Sequence, residues 1–302
     1  MAKGYFKTKK HMKNKNILLV AIMAIAVSFV MTACNKNTSA ENGTAAGQQQ
    51  LSLYLTDGPG LFDHVYLDIR SVKVLVDTST DTRKHDGMDW DRRGSDDRKN
   101  DSSFVWHDLN VKAGVYDILK FRNGTDTVLA SAGITKGAVR LIKIELGTNN
   151  SVVKDSVTYP VSLPAGALNY VLVKLGGREC EEYVPGKTRL WLDFDITRSI
   201  LTDINNKFVL RPVFHFYTIS TTGSIAGRVG PKEGFPVVTV YNTTDTAYAL
   251  PNKDGYFKLR GLKDGTYKVF INGSNGYFDS TINNVVVKAP GETSVGVITL
   301  RK

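Results

Sequence analysis

Cysteine is nearly absent from this 302-residue chain, with only two, Cys34 and Cys180. That excludes a disulfide-stapled scaffold and every multi-cysteine zinc motif. Tryptophan (3), methionine (5) and proline (9) are also sparse. No twelve-residue window carries helical periodicity, which argues against a helical or α/β class. Beyond His11, the histidines His64, His85, His107 and His215 have neither HxxxH nor HExxH spacing, and no Gly-x-Ser-x-Gly elbow, Walker loop or dinucleotide fingerprint occurs. What the chain does have is glycine (27) and 42% hydrophobic residues, enough for real cores and many turns. Its length suggests about two domains at roughly 150 residues each.

The formal charge of +10 points at first to a nucleic-acid partner, and its location argues otherwise. Met1 to Asn16 carries six lysines and no acid, and an uncharged apolar run follows from Ile17 to Ala33. This is the n-region and h-region of an export signal. The run ends in Met31-Thr32-Ala33-Cys34, with a polar tract beyond it. It resembles a bacterial lipoprotein signal, which implies cleavage after residue 33 and lipidation (palmitate) of Cys34. Met31 stands where leucine is usual, and Met12 is an alternative start. The other reading, an uncleaved anchor, requires a 17-residue run to do the work of about 20. Asn35 in place of aspartate favours the outer membrane. Removing residues 1–33 leaves 33 bases against 29 acids, or +4, too mild for nucleic acid.

Residues 34–50 contain no large apolar residue and read as the lipidated cysteine with a flexible tether. From Leu51 the pattern becomes period 2. Leu51, Leu53 and Leu55 alternate with polar or amphipathic residues, as do Val65, Leu67 and Ile69. Ala138 to Leu146 alternates with a phase change between Leu141 and Ile142, which predicts a bulge. Further strands are expected at 152–153, 157–161, 170–175, 190–196 and 208–212. Tyr116–Phe121 followed by Asn123-Gly124 predicts a hairpin, and a short helix is possible near 198–204. These segments define a β domain over 51–218. Beyond Thr221-Thr222-Gly223, shorter strands and denser glycine turns, including an expected hairpin at Asp254-Gly255, define a second over 223–302. The fold class is all-β: a larger β-sandwich-like domain, then a small seven-stranded sandwich.

Two resemblances attach to these segments. Asp254-Gly255-Tyr256-Phe257, Leu259-Arg260-Gly261-Leu262 and Gly265-Thr266-Tyr267-Lys268-Val269 resemble the carboxypeptidase regulatory-like, transthyretin-type sandwich, which implies an accessory module that spaces, braces or binds. Leu53 to Pro59, Asp63 to Val74, Tyr116 to Leu119, Arg140-Leu141, Leu192 to Asp195, Ser199-Ile200 and Leu210 to Pro212 resemble the lipoprotein-associated domain-of-unknown-function family 4382. That resemblance implies an exported lipoprotein and transfers no catalytic residue.

For chemistry, the sharpest group is Trp191, Asp193 and Asp195. Period 2 puts Leu190, Leu192, Phe194 and Ile196 on one face and these three on the other. Next-but-one residues on a strand lie roughly 6.5–7 Å apart, compatible with the paired carboxylates of a glycoside hydrolase. A tryptophan beside acids also suits sugar stacking, as Tyr54 and Trp106 would if exposed. A solvated strand face is the simpler alternative. Asp77–Ser103 holds eight aspartates and six Lys/Arg without Val, Ile, Leu or Phe, and reads as a disordered, charge-mixed insertion. Calcium ligation by Asp86, Asp89, Asp91, Asp96 and Asp97 is the competing reading, although the spacing departs from an EF-hand. Cys180, flanked by Glu179, Glu181 and Glu182, is a poor nucleophile. No metal or cofactor is expected.

The expected function is therefore a non-catalytic, lipid-anchored binding module of the bacterial cell envelope, with a glycan or protein ligand at Trp191, Asp193 and Asp195. A structural or adhesive spacer is the alternative, and a glycoside hydrolase using Asp193 and Asp195 the distant one. Cys34→Ser should abolish incorporation of a labelled fatty acid and leave the protein soluble or unprocessed on fractionation. Membrane attachment that survives the change would refute lipidation.

Overall fold

The computed structural model describes residue 1 and residues 45–57, 61–80 and 103–302. The export signal, Cys34 and most of the tether lie outside the described residues, as do residues 81–102 of the charged stretch with their candidate calcium ligands. The first domain runs β1 (Gln48–Asp57), β2 (His64–Asp77), β3 (Phe104–Asp108) and β4 (Gly114–Asp117). After a 3-10 turn over Ile118–Phe121 come β5 (Thr127–Thr135), β6 (Ala138–Leu146), β7 (Ser151–Lys154) and β8 (Val157–Ser162). Next are β9 (Tyr170–Lys174), β10 (Glu181–Val184) and β11 (Lys187–Phe194). A one-turn helix, α1 (Ile196–Ser199), leads into β12 (Ile200–Thr202), β13 (Phe208–Leu210) and β14 (Phe214–Tyr217).

These strands form two sheets. One has the order β10-β11-β1-β5 with β14 also on β11, and the other is a nine-stranded sheet centred on β2. Leu51, Leu53 and Leu55 of β1 share one buried cluster with Val65, Leu67 and Ile69 of β2. Further along β2 the buried phase changes to Val72, Val74 and Val76, and the pairing with β6 slips at Arg70 to match. One extra residue is what a period-2 strand needs to keep both halves facing the same core.

A second slip lies on β6. The sequence places it between Leu141 and Ile142, whereas the register breaks between Val139 and Leu141, making Arg140 the extra residue. Leu141 then packs outward on Leu75 and Phe104, and Arg140 is only 1% exposed. Its Nε and Nη2 donate to Asp77 Oδ2 (3.3 and 3.2 Å), and its Nη1 donates to the Gly176 carbonyl. Gly177, at φ 101°, makes room for the guanidinium, since a Cβ there would fall 2.7 Å from Nη1. Asp77 Oδ1 accepts from the Ser79 hydroxyl (2.6 Å) and backbone N–H (3.1 Å). Asp77 is thus the buried last residue of β2 and no part of a solvated loop. The insertion begins at Thr78, whose N–H and hydroxyl both donate to the Ser103 carbonyl.

Three other expectations shift. The first strand of the domain starts at Gln48 rather than Leu51, because pairing with β5 and β11 needs only backbone groups and Gln50 Nε2 adds a bond to Ser131 Oγ (2.7 Å). The segment 116–121 is not one strand. It leaves the sheet at Asp117 and coils as a 3-10 turn that buries Ile118 and Leu119. The helix is Ile196–Ser199, earlier than 198–204, because Asp195 caps it by accepting from the Arg198 N–H.

The second domain comprises β15 (Gly223–Gly230), β16 (Val237–Tyr241), β17 (Thr246–Ala249), β18 (Tyr256–Leu262), β19 (Gly265–Asn272), β20 (Ser280–Val287) and β21 (Glu292–Thr299). A three-stranded sheet, β18-β15-β21, faces a four-stranded one, β17-β16-β19-β20, across a core of its own. Asp254-Gly255 is not a hairpin between paired strands. It turns the chain from β17 in one sheet to β18 in the other, with Asn252 Oδ1 accepting from the Tyr256 N–H. Thr44–Lys302 is one compact unit despite its two cores.

Arg140→Met should strip Asp77 of its buried cation and cost about 3–5 kcal/mol, the usual penalty for breaking one side of such a pair. Urea unfolding would measure it, and Arg140→Met combined with Asp77→Leu should recover part of the loss.

Candidate functional site

The outer face of β11 organises the site. Leu190, Leu192 and Phe194 point into the core, so Trp191 and Asp193 point away from it, with Asp195 just beyond the strand. The outward residues do not meet open solvent. Trp191 is 3% exposed. Its indole stacks on Tyr54 of β1 (centroids 4.8 Å apart) and on Tyr217 of β14 (6.1 Å), each its register partner across the sheet. Its Nε1 donates to Asp126 Oδ2 (2.9 Å), and the same oxygen accepts from Arg260 Nη1 (2.7 Å) of β18. Trp191 is therefore an anchor between the two domains, and the expectation that it stacks on a sugar is corrected: neighbouring rings and the second domain have taken its surface.

The contact extends to either side of Asp126. Asn123, in the left-handed turn with Gly124, donates through Nδ2 to the Leu250 carbonyl (3.0 Å). Tyr217 lies against Gly261, where a Cβ would come within 3.0 Å of its Cδ1. Asp126 and Asn123 carry no recognisable motif, and both sit near a turn signal that identifies a bend without naming what it touches.

Beyond Tyr217 the two domains part around a cleft of about 550 Å³. Asp57, Asp193, Asp195 and His215 line it from the first domain, and Asp245 and Tyr248 from the second. Backbone register gathers the acids. β1 and β11 run parallel with Thr56 beside Asp193 and Asp57 beside Phe194, while β14 sets His215 opposite Asp193. Asp195 Oδ1 accepts from the Arg198 N–H (2.9 Å), and its Oδ2 lies 3.3 Å from His215 Nε2. Burial works to raise the Asp195 pKa, yet the hydrogen bonds from His215 and Arg198 outweigh it and hold the carboxyl below its ordinary value. The bond to Asp195 raises the His215 pKa against the opposing effect of burial. An acid–base pair needs a carboxyl poised to donate a proton. Asp195 is instead a helix cap tied to an imidazole, and both contacts favour its ionised form, so it is not the proton donor of such a pair.

Asp57 is the residue that sequence reading missed, since it falls inside Leu53 to Pro59, a stretch quoted only for its family resemblance. It closes β1, is 7% exposed, and neither carboxylate oxygen has a hydrogen-bond partner among the described residues. Burial, then the charge of Asp193, pushes its pKa well above the ordinary value, with Arg122 opposing.

The other candidates are inert. Cys180 packs against the first core, and burial, helped by Glu179, pushes its thiol up to about 12. His64 pairs with Asp117, and His107 Nε2 accepts from the Thr135 N–H. Among the described residues no three His, Cys, Asp or Glu side chains are placed to share a metal ion.

Comparison with known proteins places the larger domain. The family described as "Domain of unknown function (DUF4382)" matches residues 48–212, more than half of the chain. The chain belongs to this family. The DUF4382 match contains Asp57, Asp193 and Asp195, whereas His215, Tyr217 and the whole opposite wall of the cleft lie beyond it. No curated protein matches. Among solved structures, a type II cohesin–X-dockerin complex from Acetivibrio cellulolyticus is 24% identical over 26% of this chain and 56% of its own, with a TM-score of 0.22. This chain therefore spans little more than half of that one. The minor pilin GBS52 of Streptococcus agalactiae is 10% identical over 84% of this chain and 96% of its own, with a TM-score of 0.21. A shaft pilin SpaA variant from Lactobacillus rhamnosus GG is 10% identical over 84% and 96%, with a TM-score of 0.24.

A carboxyl whose folded pKa is raised contributes full stability below its unfolded pKa of about 3.9 and loses it as pH climbs through the folded value. Each pH unit between the two values costs about 1.4 kcal/mol at the alkaline end. Asp57→Asn should therefore melt higher than the parent at pH 8, and the difference should vanish near pH 4. Equal melting curves at both values would refute a strained Asp57.

Proposed function

We propose that this chain is an exported bacterial lipoprotein, anchored through Cys34 to the outer membrane, that binds an extracellular glycan or protein without chemically altering it. The observation that carries the binding role is the composite cleft, whose walls come from two domains with separate cores. A volume of about 550 Å³ lies within the 300–1,000 Å³ range of ordinary ligand sites. Asp193 and Asp195 belong to that cleft and take part in recognition. Trp191 acts behind them by fixing the domain contact. The second domain, read as a carboxypeptidase regulatory-like sandwich, serves as the opposing wall.

One observation favours a second reading. Asp126 joins both domains through a single oxygen, which suits a stiff spacer holding material off the membrane. The two readings part on saturation. The full chain in detergent micelles should bind at least one member of a glycan or protein panel saturably. Thr246→Trp, which fills the cleft from the second domain, should weaken that binding about tenfold or more. A spacer would give no saturable binding, or binding indifferent to Thr246→Trp.

A further inference from the structure

The polar inventory of the cleft is unbalanced, and the imbalance specifies what fits. Lys258 and Arg260 both line it, yet each is neutralised by an acid outside the lining: Lys258 Nζ lies 2.5 Å from Glu292 Oε2, and Arg260 Nη1 lies 2.7 Å from Asp126 Oδ2. Arg198 and His215 are both drawn to Asp195. The cleft's own cations are thus committed. Asp57 remains, more than nine-tenths buried, with both oxygens unpartnered among the described residues; Asp193 acts on its charge, and Arg122, outside the lining, offsets only part of that. The buried Tyr217 hydroxyl, also in the lining, lies near Arg260 and Thr56 but in well-formed hydrogen-bond geometry with neither.

A buried carboxylate and a buried hydroxyl without partners are costly, and each can accept a hydrogen bond. The group that serves both acceptors while adding positive charge between the neighbouring acids is a donor-only cation. An alkylammonium has three N–H donors and no acceptor. A neutral sugar hydroxyl would satisfy one acceptor and add no charge to offset the repulsion between Asp57 and Asp193.

We propose that the cleft binds ligands through a primary alkylammonium group held by Asp57 and Asp193, with Tyr217 as a further acceptor. Tyr248, exposed at the rim, offers a ring face to the alkyl stem or the cation. The proposal rests on the cleft being the binding site and adds the chemical class of what enters it.

The test uses the full chain in detergent micelles and calorimetric titration. One arm compares 1,5-diaminopentane with its doubly N-acetylated form, and the other compares Nα-acetyl-lysine amide with its Nε-acetylated form. The two arms separate a free diamine from a peptide lysine as the source of the ammonium. At least one amine should bind saturably, and acetylation should weaken it about tenfold or more. Asp57→Asn and Asp193→Asn should each do the same. Asp193 is only half-buried, so its variant preserves the test if Asp57→Asn fails to fold. Equal binding of amine and acetylated probe, no binding of either amine, or full binding by both variants would overturn the ammonium class. A panel ligand that is lost on Thr246→Trp but unaffected by Asp57→Asn and Asp193→Asn would overturn it while leaving the cleft intact. Amine binding unaffected by Thr246→Trp would overturn both.

Discussion

A single carboxylate oxygen, Asp126 Oδ2, accepts from the Trp191 indole and the Arg260 guanidinium, and the cleft depends on that junction. Each domain has its own core, so neither needs the other to bury its apolar interior. What holds their surfaces together is a small polar contact around Asn123 and Asp126, closed by Tyr217 against Gly261. Hydrogen bonds to charged groups are worth about twice neutral ones, and they fix geometry as well as energy. Because Asp126 restrains partners on both sides, the space beside it has a defined width.

The inner architecture was largely legible in the sequence, because a two-residue period and a buried face leave a strand little choice. Leu51, Leu53 and Leu55, or Leu190, Leu192 and Phe194, announce the core in their spacing. Spacing also indicated that β6 breaks phase, but it could not place the break at Arg140, since an arginine in a strand ordinarily reads as solvent-facing. Its burial depends on Asp77, sixty-three residues earlier, and on the small Gly177 beyond it.

The outer face was read in phase and misread in environment. Alternation correctly set Trp191 and Asp193 opposite the core but is silent on what covers that side. Covering it takes a domain that begins thirty residues later, together with a turn whose asparagine was noticed only for its backbone preference. Asp57 was hidden for a related reason. A Thr-Asp-Gly-Pro-Gly string advertises a bend, and whether its acid is solvated depends on the strands that flank it. Local propensity reports backbone shape, whereas burial of a polar side chain is settled by tertiary neighbours.

The sandwiched indole has an optical consequence. Of the three tryptophans, Trp191 is sealed between Tyr54 and Tyr217 with its N–H engaged, whereas Trp106 is 39% exposed to water. An indole held dry emits at shorter wavelength than a wet one, so the two have separable colours. Among the described tryptophans the blue component arises where the domains meet, and a red shift confined to it would mark that contact opening while both cores stay folded. The molecule thus carries a built-in optical gauge of its own joint.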